Sequence, residues 1–112
     1  MVIQNHLQSD LKKSSEKIEI KTLDSIIKEQ GEPNFIKIDV EGFEFNVLKG
    51  LKTNLKNCNF LIEVRKSTKN QVRDYFKNKD YDVYLTDNGL KKINYTSDLP
   101  DFCNLLFIKK IT

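Results

Sequence analysis

Apolar residues recur along this chain in two rhythms: short runs that predict strands, and stretches spaced by three and four that predict helices. Phe35 to Asp39 is an apolar run ending on an acid, and after Gly42 the apolar positions fall at helical spacing, with Phe43, Val47, Leu48, Leu51 and Leu55 on one face. The pattern predicts a strand, a tight acidic turn and a helix, which Gly50 is placed to kink or break. Phe60 to Val64 predicts the next strand. Thr68 with Gln71 three residues on is a capping-box signature for a helix presenting Val72, Tyr75 and Phe76. Tyr81 to Thr86 predicts a strand, and Asn88-Gly89 turns the chain so that Leu90 to Tyr95 folds back antiparallel to it. Leu105 to Ile108 is continuously apolar, as in a strand buried on both faces.

Ahead of this block the pattern is weaker. Ile3, Leu7 and Leu11 predict a short helix or a loose tail over residues 1–16, and Lys17 to Lys21 alternates as a short strand would. Thr22 then caps a helix with the stripe Leu23, Ile26 and Ile27, stopped by Gly31 and Pro33.

Strands alternating with helices imply parallel pairing, because parallel neighbours cannot be joined by tight turns. The class is α/β: parallel strands with crossover helices, plus a C-terminal antiparallel hairpin and strand. Right-handed crossovers between strands advancing in one direction put both connecting helices on one face. The strands nevertheless offer apolar side chains to both sides, so a partner chain or a missing segment is expected to cover the other face.

Composition narrows the function classes. With 112 residues the chain is one domain, and its 38% apolar and 31% charged content is that of an ordinary soluble protein. The net charge of +3 comes from lysines spread end to end, with Arg65 and Arg73 the only guanidinium groups. That is a solvated surface rather than a nucleic-acid footprint. No stretch reads as a signal peptide or a membrane span, so a cytoplasmic location is expected. Cys58 and Cys103 stand 45 positions apart beside apolar runs, as buried thiols do.

The dense chemistry lies in Asp39-Val40-Glu41-Gly42-Phe43-Glu44. Three carboxylates at a strand end and helix start have a structural reading, since peptide dipoles there stabilise negative charge. They also have a chemical one: Asp39 or Glu41 could accept a proton, hold a ligand hydroxyl or amine, or bind a divalent ion. In open α/β sheets the crevice beyond the carboxyl ends of the strands is where ligands bind. Lys37 shares strand parity with Asp39 and is expected to pair or snorkel toward Glu63. His6 is a lone histidine without an evident task, and Tyr81, Tyr84 and Tyr95 read as cross-strand packing.

Ile36-Lys37-Ile38-Asp39-Val40-Glu41-Gly42, followed by Glu44, Val47-Leu48 and Gly50, resembles the signature of the FkbM-type methyltransferase family, which uses S-adenosylmethionine (SAM). Thr22-Leu23-Asp24 and Phe60-Leu61-Ile62-Glu63 also fall where that family has corresponding elements. The resemblance implies a Rossmann-like sheet and methyl transfer to an oxygen of a sugar or other small metabolite. It makes Asp39 the acceptor-orienting or general-base carboxylate and Glu41 its support. Gly42 would permit the tight turn, and Glu63 at the next strand end would form a second wall for the substrate.

Such folds also carry a glycine-rich cofactor loop after their first strand and a ribose-binding acid after the second. The glycines here are Gly31, Gly42, Gly50 and Gly89, none of them close together. Residues 17–112 are therefore expected to be the C-terminal half of the domain, a fragment whose central strand lacks its first-strand neighbour. Two rivals stand beside this reading. One is a non-catalytic half-domain or binding module that pairs with another chain or with a second copy. The other is a metal-dependent nuclease using Asp39 and Glu63, although such enzymes join the two acidic strands by a tight hairpin.

Overall fold

The computed structural model describes residues 1–4 and 22–111. Its elements are β1 (Val2–Gln4), α1 (Leu23–Gln30), β2 (Phe35–Asp39), α2 (Glu44–Lys49), β3 (Asn59–Arg65), α3 (Lys69–Phe76), β4 (Tyr81–Leu85), β5 (Lys91–Ile93) and β6 (Phe102–Lys109). They form a six-stranded sheet in the order β1-β2-β3-β6-β4-β5. The first three strands are parallel, while β6 runs antiparallel to both β3 and β4, and β4 to β5. This is the expected partial Rossmann-like arrangement with its closing antiparallel strands.

Strand parity decides what is buried. Ile3, Ile36, Ile38, Phe60, Ile62, Val64, Val83, Cys103, Leu105 and Phe107 all point to one face and join Leu23, Ile27, Leu48, Val72 and Phe76 of the helices in a single core. Phe76 is its hub, stacked on Phe107 at 3.9 Å and edge-on to Tyr81 at 5.1 Å. The tyrosines pack as expected and also tie the strands. Tyr81 donates to the Cys58 carbonyl at 2.8 Å, and Tyr95 donates to the Tyr81 carbonyl at 2.8 Å. Cys58 and Cys103 are both buried free thiols, and burial pushes each up to about 11.

The opposite face is bare of helices among the described residues. Val2, Phe35 and Phe102 on it are 50%, 39% and 58% exposed. Leu61, Leu106 and Ile108 share it and are half-buried. The expectation that Leu105 to Ile108 is buried on both faces is thus corrected: Leu105 and Phe107 are enclosed, and the two residues of opposite parity are not.

The N-terminal expectation also changes. Val2–Gln4 is a strand rather than part of a helix or tail. It lies along β2, where the Met1 carbonyl accepts from Lys37 N–H at 2.9 Å and the terminal ammonium donates to the Phe35 carbonyl at 3.0 Å. An unpaired β2 edge would leave these groups unsatisfied, and β1 satisfies them. The edge expected to stand open is therefore paired. The proposed strand over Lys17 to Lys21 and His6 lie outside the described residues.

Two further local differences have clear causes. The helix after the acidic turn spans only Glu44–Lys49. Leu51 and Leu55 reach the core from the following loop, and Phe43 is 45% exposed rather than buried. Thr68 does precede α3, but its hydroxyl makes no cap bond. It is committed elsewhere, to the buried Glu44.

Candidate functional site

Register brings the site together. Gln4 is opposite Asp39, Ile38 is opposite Ile62, and Glu63 is opposite Asn104. The parallel register of β2 and β3 therefore sets Asp39 beside Glu63, and a polar row Gln4–Asp39–Glu63–Asn104 crosses the sheet on its bare face. All four side chains are half-buried. The row lies at the carboxyl ends of the parallel strands, where open α/β sheets bind ligands. Asn104 is fixed from beyond, its backbone and side-chain N–H groups donating to the Asp87 carboxylate at 3.1 and 3.0 Å.

Two adjacent carboxyl groups cannot both ionise freely. Burial is the main cause raising Glu63 above the usual carboxylate range; the Asp39 charge and a hydrogen bond to Asp39 add to it, and Arg65 opposes it. The register thus sets two carboxyl groups side by side on a solvent-facing surface. Below it runs a second row, Val2–Lys37–Leu61–Leu106–Tyr84, in which Lys37 is opposite Leu61 and not Glu63. No ion pair joins Lys37 to Glu63 among the described residues.

The acidic turn follows directly. The Val40 carbonyl accepts from Phe43 N–H at 3.2 Å, with Glu41 at φ 41° and Gly42 at φ 98°. Positive φ at both central positions is the type I′ pattern, easy for glycine and strained for glutamate. Glu41 is exposed at the rim, and the space where Gly42 would carry a Cβ is open. The structure thus brings Asp39 and Glu63 together, with Glu41 and Gly42 on the adjoining turn rather than in the row.

Glu44 is 1% exposed and holds this turn from behind. One carboxylate oxygen accepts from Gly42 N–H at 2.9 Å, and the other accepts from the Thr68 hydroxyl at 3.0 Å. Neither role was visible in the sequence, nor were those of Gln4 and Asn104; strand register decides them, and no local pattern encodes it.

Other signature residues are structural. Thr22 caps α1, accepting from Ser25 N–H at 3.2 Å. The Asp24 carboxylate accepts from Lys52 N–H and Thr53 N–H, each at 3.0 Å. Gly50 lies so near α1 that a Cβ would meet the Thr22 Cβ at 3.2 Å. β2 and β3 are parallel and joined through α2, which is not the hairpin a metal-dependent nuclease uses, and no group of three potential metal ligands occurs among the described residues.

The described residues do not by themselves form a cradle for SAM. Gly31 ends α1, Gly50 packs against Thr22, Gly89 turns the β4–β5 hairpin, and only Gly42 follows the end of a parallel strand. Two clefts described in the structure open at the opposite end of the sheet, one around Asn59 and Lys109 and one around Leu55 and Tyr75; neither includes Asp39 or Glu63. No helix among the described residues is long and apolar enough to cross a membrane.

No curated protein and no solved structure matches the chain. The family model for the methyltransferase FkbM domain matches residues 4–89, a span that runs from β1 through the acidic turn and the Asp39–Glu63 pair to the β4–β5 turn. On that match, which spans most of its length, this chain belongs to the FkbM methyltransferase family.

Proposed function

We propose that this chain supplies the acceptor side of a SAM-dependent methyl transfer, with an oxygen of a sugar or other small metabolite as the acceptor. The observation that carries the reading is the Asp39–Glu63 pair, two carboxyl groups set side by side by strand register at the carboxyl ends of adjacent parallel strands.

An acceptor hydroxyl entering over the bare face would donate a hydrogen bond to Asp39, which orients the oxygen and takes its proton as the new bond forms. Glu63 forms the second wall beside Asp39. Glu41 supports the approach from the rim. The Gly42 turn leaves room for the substrate to come close to backbone. Asp39→Asn in a methyl-transfer-competent FkbM protein, at the aspartate matching Asp39, tests this. Turnover falls by about a hundredfold, within the usual range for a lost general base, while SAM affinity stays within about threefold. Equal loss of both would move the residue to cofactor binding or folding.

A second reading is favoured by the exposed apolar side chains Val2, Phe35 and Phe102 on the bare face. Sheets with parallel strands are normally covered on both sides. In this reading residues 17–112 act as the C-terminal half of a methyltransferase domain, and a complementing half covers the face and holds the cofactor. Calorimetry of the chain with SAM is then expected to show no saturable binding at micromolar concentration, and one-to-one binding would refute it.

A further inference from the structure

We propose that Glu44 is a positioning residue that clamps the Asp39–Gly42 turn to the end of β3, acting through Thr68. The inference rests on Asp39 and Glu41 being the working carboxylates, and it assigns the buried acid behind them a role distinct from theirs.

The connections form one chain. Arg65 N–H donates to the Thr68 hydroxyl oxygen at 3.1 Å, that hydroxyl donates to Glu44 at 3.0 Å, and Glu44 accepts on its other oxygen from Gly42 N–H at 2.9 Å. The chain starts two residues beyond Glu63 and ends three residues beyond Asp39, so it ties together the two strand ends that carry the site. Glu44 and Thr68 are 1% and 4% exposed and the bond between them is buried, while the bonds to the Gly42 and Arg65 amides are part-buried. A buried carboxylate is costly unless its oxygens are satisfied. Here its donors are the amide of a residue at φ 98° and a hydroxyl 24 positions away in sequence. Helix stability requires neither, since Glu44 makes no bond to an N–H of α2 among its described contacts, whereas holding Glu41 and Gly42 at positive φ requires the Gly42 bond.

The test is amide hydrogen exchange by NMR on the full chain, comparing wild type with Glu44→Leu, Glu44→Gln and Thr68→Val. Thr68→Val keeps the shape and removes the hydroxyl. Glu44→Gln keeps an oxygen for Gly42 and turns its NH2 to Thr68, whose proton can swing to the Arg65 carbonyl 3.5 Å away. The expected result is exchange at Gly42 faster by about tenfold or more in Glu44→Leu and by a measurable factor in Thr68→Val, with near-complete rescue in Glu44→Gln. The amide of Ile62, in the centre of the sheet, keeps its wild-type rate.

Two results would overturn the proposal. One is unchanged exchange at Gly42 in Thr68→Val and Glu44→Leu. The other is equal acceleration at Gly42 and Ile62, which would make Glu44 a general stability residue. Should Glu44→Leu fail to fold, the pair Thr68→Val and Glu44→Gln still decides. The outcome does not depend on turnover, so a failure of the methyl-transfer reading would leave this measurement standing, and the reverse also holds.

Discussion

Asp24 offers the sharpest quantitative test, because its work can be read from distances. Its backbone N–H donates to the Gly50 carbonyl at 3.0 Å, and its carboxylate accepts from Lys52 and Thr53 N–H groups at 3.0 Å. Asp24→Ala keeps the backbone bond and deletes the carboxylate, leaving two loop amides to water. Hydrogen bonds to a charged group contribute about 1.5–3 kcal/mol each when shielded. Both amides are accessible to solvent, so a discounted total of about 1–2 kcal/mol is expected. At about 2.1 cal/mol/K per residue that lowers Tm by roughly 4–8 °C. The pH dependence supplies an independent check. The Thr53 amide is the chief cause holding the Asp24 carboxyl below its ordinary value, with Lys52 contributing. A depressed acid contributes stability above its unfolded pKa and loses it as pH falls through the folded one. Thermal melts followed by circular dichroism should therefore show the wild-type advantage at pH 7 shrinking steadily on acidification below about pH 4. A difference in Tm under about 1 °C at pH 7, or one that does not change with acid, would refute the assignment.

The two faces of β6 should respond differently to truncation. Leu105→Ala opens the enclosed core and is expected to cost about 2–5 kcal/mol, while Leu106→Ala on the bare face costs under about 1.5 kcal/mol, as read from urea midpoints. Equal losses would show that something covers the bare face in the isolated chain. For the carboxyl pair the sign is opposite to that of Asp24. Glu63 is raised above 4.5, so its protonated form stabilises the fold at low pH, and that contribution is lost as pH rises through its native value. Glu63→Gln should therefore gain on wild type as pH is raised from about 4 toward 7, and a constant difference across that range would contradict a raised Glu63.

Much of this architecture was legible because local patterns agreed with the fold. Phe35 to Asp39, Phe60 to Val64 and Tyr81 to Thr86 carry enough β-branched, aromatic and apolar residues to declare strands, and Asn88-Gly89 declares the turn between β4 and β5. What local pattern could not convey was pairing. Ile3 at spacing four from Leu7 looks helical, yet the free edge of β2 recruits Val2–Gln4 as a strand. Thr68 and Gln71 look like a capping box because the motif records only residue type. The Thr68 hydroxyl instead follows the stronger demand of a buried carboxylate 24 positions upstream. Phe43 looks like the first core residue of a helix, but the type I′ turn before it rotates the helix start and leaves its ring 45% exposed.

The family signature can now be divided by physical task. Ile36 and Ile38 build the core, Gly50 admits the close approach of α1, and Asp24 staples the loop beyond it. Gly42 accepts a backbone geometry that other residues resist, and Glu44 secures it from beneath. With those tasks assigned, Asp39 and Glu63 are left as the signature acids that stand side by side on the bare face, half-buried. A scaffold that needed only packing would place apolar or neutral residues there, because a carboxyl pair in contact costs stability as pH rises. That the acids stand on the unpacked face, at the strand ends, is the physical ground on which we propose the pair, rather than the buried Glu44 of the same motif, as the site of chemistry.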